Sequence, residues 1–71
     1  MERGQKKSPD FVQSLARGLE ILEIIGKSSG AVTVAEVSEH TDINRATSRR
    51  LLLTLERMGY IKKTRNKYVL T

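Results

Sequence analysis

The chain has 71 residues and a formal net charge of +5, with 13 Lys and Arg against 8 Asp and Glu, one histidine and no cysteine. A chain this short is one small domain that buries only about 60% of the surface its unfolded form exposes, which excludes a large cleft with a separate substrate domain. Without cysteine there is no disulfide, no thiolate zinc site and no cysteine nucleophile, and His40 alone cannot build a histidine-rich metal site, so neither a metal nor a cofactor is expected.

Residues 1–9 are polar and basic and lack apolar periodicity, which predicts a disordered basic tail ahead of a folded domain spanning 10–71. No apolar segment follows the charged start, so it does not read as a secretory signal. The longest apolar runs are three residues, Leu51–Leu53 and Tyr68–Leu70, so no membrane span and a cytoplasmic location are expected.

Ser8-Pro9-Asp10 punctuates the entry to a first helix. From there Val12, Leu15, Ala16, Leu19, Leu22 and Ile25 recur at helical spacing, and Ile21 and Ile24 form a second apolar strip beside them. The first strip is assigned to the core; the second is either more core or a surface for a partner helix. Gly26 and then Ser28-Ser29-Gly30 predict the helix end. Ala31-Val32 reads as a short β-like segment. Thr33-Val34-Ala35-Glu36 reads as a capping box, in which the Thr33 hydroxyl accepts from the Glu36 amide and the Glu36 carboxylate reaches back to the Thr33 amide. A short helix fading near His40 follows, with Val34 and Val37 inward. Thr41-Asp42-Ile43 is the turn, and Ile43 plugs the core.

Asn44 is a good N-cap for a third helix that runs to Met58, with Gly59 just beyond its end. At 100° per residue, Leu51, Leu52 and Leu55 fall within about 60° of Ser48 and form its inward stripe. Ala46, Arg50, Leu53 and Arg57 lie near the opposite side, flanked by Thr47, Arg49 and Thr54. The stretch 60–71 reads as a β-hairpin with Thr64-Arg65-Asn66-Lys67 at its centre, where Asn66 tolerates a positive φ. The fold class expected is mainly α with a small β-hairpin, three helices and a two- to three-stranded wing.

The charge is segregated. Residues 1–44 carry 5 basic and 7 acidic side chains, whereas residues 45–71 carry 8 basic and 1 acidic. Such asymmetry points to a polyanion partner for the C-terminal part, against the blander reading of a basic solvated surface. Two helices joined by about three residues, the second basic at its start and followed by a basic hairpin, form the winged helix-turn-helix arrangement. A helix of this diameter fits the major groove of B-DNA, where arginine can pair with guanine O6 and N7 and threonine offers a hydroxyl and a methyl group. Arg45, Thr47, Arg49 and Arg50 occupy its first turn and a half, while Arg65, Asn66 and Lys67 at the hairpin tip can reach phosphate or the adjacent minor groove. The competing assignments are an ion pair of Arg50 with Glu36 or Glu39, a core-rim place for Thr47, and solvated loop positions for Arg65 and Lys67. On a period-two strand, one of Lys62 and Lys63 must point away from any DNA.

Residues 11–71 resemble the N-terminal DNA-binding domain of the IclR family of bacterial transcriptional regulators. The likeness lies in Val12-Gln13-Ser14-Leu15-Ala16-Arg17-Gly18-Leu19-Glu20-Ile21-Leu22, similar to the family's opening VQSLxRALxIL, and in Val32-Thr33-Val34-Ala35-Glu36-Val37. It continues through Ile43-Asn44-Arg45-Ala46-Thr47-Ser48-Arg49-Arg50-Leu51-Leu52-Leu53-Thr54-Leu55-Glu56, similar to LPRSTxxRLLxTLE, and then Gly59-Tyr60-Ile61. The wording of Phe11–Glu20 looks most like the branch that regulates breakdown of aromatic acids. The chain departs from the pattern at Asn44, where the family often has Pro, at Arg49, where it often has His, and at Leu53, where it often has a small residue.

The resemblance implies sequence-specific binding of double-stranded DNA at a near-palindromic operator. Helix 44–58 would lie in the major groove, with wing 60–71 on the adjacent backbone or minor groove. The implied DNA-contacting residues are Thr33, Asn44, Arg45, Ala46, Thr47, Ser48, Arg49, Arg50, Arg65, Asn66 and Lys67. It also implies a homodimer through the first helix, with Leu15, Ile21 and Ile24 at the interface, and a small-molecule effector bound only by a C-terminal domain absent here. The alternative is a winged-helix protein-interaction module that does not touch DNA. Enzymatic activity is not expected, because no nucleophile–base pair, glycine-rich phosphate loop or metal-ligand set is legible.

Overall fold

The computed structural model describes residues 9–28 and 30–71; the tail expected at the N-terminus lies, except for Pro9, outside the described residues. The elements run α1 (Gln13–Lys27), β1 (Ala31–Val32), α2 (Val34–His40), α3 (Arg45–Arg57), β2 (Ile61–Thr64) and β3 (Lys67–Leu70). The strands form one antiparallel sheet in the order β1-β3-β2. Ala31 pairs with Val69 and Val32 with Tyr68 on one side of β3, and Ile61 with Leu70 through Thr64 with Lys67 on the other. The third strand is the segment between α1 and α2, so the wing is tied to the start of the helix pair and is not a free hairpin.

The core is a cluster of Ile21, Ile25, Val32, Val37, Ile43, Leu52, Ile61 and Tyr68, with Leu22, Ile24, Val34, Leu51 and Leu55 packed around it. Every element contributes, so no helix or strand of this small chain has a separate hydrophobic centre. On α3 the inward stripe is Ser48 and Leu52, while Leu51 and Leu55 are half-buried.

Burial on α1 cuts across the two strips read from the sequence: Leu22 and Ile25 of the first reach the core as expected, while its N-terminal members do not. Ile21 and Ile25 are wholly buried beside Gly18, whereas Val12, Leu15 and Leu19 are exposed together with Phe11. Ile25 is core as expected of the first strip, Ile21 realises the core alternative left open for the second, and the N-terminal members of the first strip are left on the surface. A Cβ on Gly26 would stand 3.8 Å from Leu70 Cδ1, so that side of the helix lies close to β3. Gly26 is therefore inside the helix. Its end is made by Ser28, whose amide donates to Ile24 O at 3.0 Å and whose hydroxyl donates to Ile25 O at 2.9 Å and accepts from the Gly30 amide at 3.2 Å. Gly30 takes the positive φ, 101°.

Gly18 is buried in the middle of α1, yet an added Cβ there would meet nothing within 4 Å. Gly18→Ala should then gain helix propensity without a clash, about 1 kcal/mol, and raise the melting temperature by about 4–8 °C. Thermal unfolding followed by circular dichroism checks this, and a lowered midpoint would mean that the space is not available.

The capping box of α2 is present in both directions: the Glu36 amide donates to Thr33 Oγ1 at 3.1 Å and the Thr33 amide to Glu36 Oε1 at 2.8 Å. The end of α3 is a Schellman motif, with Gly59 at φ 90°, its amide donating to Glu56 O at 3.0 Å and the Tyr60 amide to Leu55 O at 3.1 Å. This closure reverses the chain into β2. At the far end of the hairpin the turn is Arg65-Asn66 alone, because strand pairing continues to Thr64 and Lys67. The left-handed residue is Arg65, at φ 58°, and not Asn66.

Candidate nucleic-acid interface

The start of α3 is built by a side-chain network in the turn before it. Thr41 Oγ1 donates to Val37 O at 2.9 Å and accepts from the Ile43 amide at 3.1 Å. Ile43 O in turn accepts from Ser38 Oγ of α2 at 2.9 Å and, at a longer 3.4 Å, from Ser48 Oγ of α3. One carbonyl is thus held by hydroxyls from both helices, while the Ile43 side chain is buried below it. Asn44 then caps α3, its Oδ1 accepting from the Thr47 amide at 2.8 Å. These bonds fix where α3 leaves the turn relative to α2.

Three arginines project from the helix positioned in this way. Arg45, Arg49 and Arg50 are exposed, as is Ala46, and Thr47 is half-buried at the rim. No acidic residue lies in the first turn of α3. Among the described residues no carboxylate pairs with any of the three arginines; Glu36 Oε1, one of the partners considered for Arg50, is engaged by the Thr33 amide. The helix macrodipole adds positive potential at the same end. The result is an exposed cationic helix start that no acid among the described residues neutralises.

Ser48 cannot belong to that surface. It is wholly buried beneath the turn, where its hydroxyl donates to Ile43 O. Its neighbours in sequence point outward because α3 turns by about 100° per residue. Ile21 is likewise excluded from a dimer interface by complete burial in the domain's own core, and Ile24 is half-buried against the same core. Leu15 is 61% exposed, and Val12 and Leu19 stand exposed on the same side of α1. Spacing alone puts Val12 and Leu19 in the core strip, and the interface implied by the resemblance does not include them.

On the wing, Arg65, Asn66 and Lys67 are all exposed. The register that pairs Val32 with Tyr68 brings Thr33 alongside Lys67, so these two candidates neighbour one another on adjacent strands. Lys63 lies opposite Tyr68 with its Nζ 5.9 Å from the ring centroid. Lys62 therefore occupies the other sheet face, with Thr64 and Lys67. Tyr68 is buried in the core, whereas Tyr60 is exposed.

Known proteins share the fold that carries these residues. The model of the IclR helix-turn-helix domain matches residues 14–65. The Pca regulon regulatory protein of Pseudomonas putida is 44% identical over 52 residues, covering 73% of this chain and 18% of that protein. The p-hydroxybenzoate hydroxylase transcriptional activator of Acinetobacter baylyi is 35% identical over 65 residues, covering 92% of this chain and 24% of that protein. Among solved structures, an IclR family transcriptional regulator from Brucella abortus superposes with a TM-score of 0.83 at 29% identity, covering 99% of this chain and 27% of that one. The chain thus spans about a fifth to a quarter of the length of these relatives.

Proposed function

Because the chain belongs to the IclR helix-turn-helix family, we propose that it is the operator-reading domain of a transcriptional regulator, binding double-stranded DNA with α3 in the major groove. The observation that carries this reading is the capped start of α3, where Arg45, Arg49 and Arg50 stand exposed and unpaired among the described residues. In a groove about 12 Å wide this helix start presents guanidinium groups to base edges and its open amides to phosphate. Thr47 and Ala46 complete the approach at the rim. Arg65, Asn66 and Lys67 then hold the flanking backbone or minor groove, with the Thr33 hydroxyl beside Lys67 as a further hydrogen-bond donor to phosphate. Lys62, on the same sheet face as Lys67, joins this set.

The regulator would act as a homodimer on a near-palindromic site, each domain reading one half. The exposed strip of Leu15 with Val12 and Leu19 is the apolar surface that α1 offers for pairing. Any small-molecule effector would bind elsewhere in the longer protein. The name of one relative, the p-hydroxybenzoate hydroxylase transcriptional activator, together with the wording of the opening segment, supports target genes for the breakdown of aromatic acids. Among the described residues no helix is long and apolar enough to cross a membrane.

Selection of bound sequences from a random duplex pool, followed by a salt titration of the selected duplex, tests the reading. The expected result is a recurrent motif in two inverted halves, with affinity falling linearly in log–log form as counterions are released, at about 0.9 per phosphate contacted. Enrichment of no sequence, with salt-independent binding or none, would favour a protein-interaction module.

A further inference from the structure

Leu53 is the one large apolar side chain on the outward face of α3 between the arginines and the helix end, and it is 38% exposed. On a helical wheel it lies about 20° from Ala46, about 40° from Arg49 and Arg57, and about 60° from Arg50. It is about 100° from buried Leu52, so it takes no part in the core stripe. The face proposed to enter the groove is therefore not uniformly cationic. Arginines border a narrow apolar strip, Ala46 and Leu53, whose two members are separated by about 10 Å along the axis, close to three base steps.

We infer that this strip reads thymine, Leu53 packing its isobutyl group on the C5-methyl of a thymine in the major groove. The inference rests on the DNA reading above and deepens it. The thymine methyl is the apolar group that the bases present in this groove, and apolar side chains recognise it by contact alone. Leucine offers no hydrogen bond, so the amino group of an adenine or cytosine placed against it would lose water without gaining a partner. Arg49 and Arg50 on either side can pair with guanine, which makes a thymine flanked by guanine the favoured context. Leucine contributes at two levels: it attracts the methyl group, and it disfavours bases that need a partner at that step.

The test replaces each thymine of the selected duplex, one at a time, with deoxyuridine, which lacks only the methyl group. Binding of the 71-residue chain is followed by fluorescence anisotropy. One thymine per half-site should prove sensitive, its demethylation weakening binding by about fourfold, as expected for one buried methyl. In Leu53→Ala that sensitivity should vanish while sensitivity to guanine replacement remains. Leu53→Asn, which carries a polar group to the same place, should also be insensitive to the methyl, and thermal melting of both variants establishes that they fold. Uniform tolerance of deoxyuridine by the wild-type chain, or a sensitivity that persists unchanged in both variants, would overturn the inference and leave DNA binding standing. A wild-type chain that binds no duplex at all would overturn both.

Discussion

Leu52→Ala is expected to bring the domain to the edge of unfolding. Leu52 is wholly buried where α3 meets the core cluster, and that cluster draws on every element of the chain. Removing its three outer carbons costs the lost transfer energy and leaves a cavity that the surrounding side chains can only partly close, about 2–5 kcal/mol in all. At about 0.05–0.15 kcal/mol per residue, a chain of this length has little more stability than that to lose. The melting temperature should fall by more than about 10 °C, since each kcal/mol moves a domain of this size by about 4–8 °C. The two neighbouring leucines supply an internal scale. Leu55→Ala should cost less, because Leu55 is half-buried, and Leu53→Ala should change the midpoint little, because it faces outward. Equal effects at positions 52 and 53 would refute the observed helix orientation.

The second large effect concerns recognition. Arg45→Ala and Arg49→Ala should each weaken binding to the selected duplex by about 1–3 kcal/mol, a factor of about 5 to 150, and relax the choice of base at one position per half-site. Both side chains are exposed and unpaired among the described residues, so their removal should leave the fold and its melting midpoint unchanged. Lys67→Ala, on the wing, should instead weaken all duplexes alike and reduce the salt slope by about one. Competition binding between selected and scrambled duplexes separates these outcomes. If the helix variants lose equal affinity on every duplex, Arg45 and Arg49 touch phosphate and the bases are read elsewhere.

Local chemistry in this chain was legible from the sequence, and choices between competing tertiary surfaces were not. The capping box needs only Thr33 and Glu36 three residues apart, and both bonds form as expected. The Asn44 cap and the Gly59 helix end are equally short-range, and both are present. The phase of α1 is different in kind. Its apolar residues occupy two adjoining strips, and which members of each are buried depends on elements distant in sequence, among them β3, whose Leu70 lies close to Gly26. The positive φ at Arg65 has a similar origin: pairing of Thr64 with Lys67 leaves just two residues to reverse the chain, whatever their own preferences. At the candidate site, the run 44–50 was legible as a segment. Its division into surface arginines and an inward Ser48 was legible too, from the 100° phase of the helix; the resemblance, carried over letter by letter, is what placed Ser48 among the DNA contacts.

The joint between α2 and α3 is held entirely by uncharged partners: three hydroxyls, one amide and two carbonyls. None of these groups ionises in the physiological range, and none is screened by dissolved ions as an ion pair would be. The elbow should keep its angle as electrolyte is added, even while the grip on a polyanion weakens. Ionic strength would then act on adhesion without deforming the hand, and a rigid elbow leaves little ordering entropy to be lost at the moment of docking.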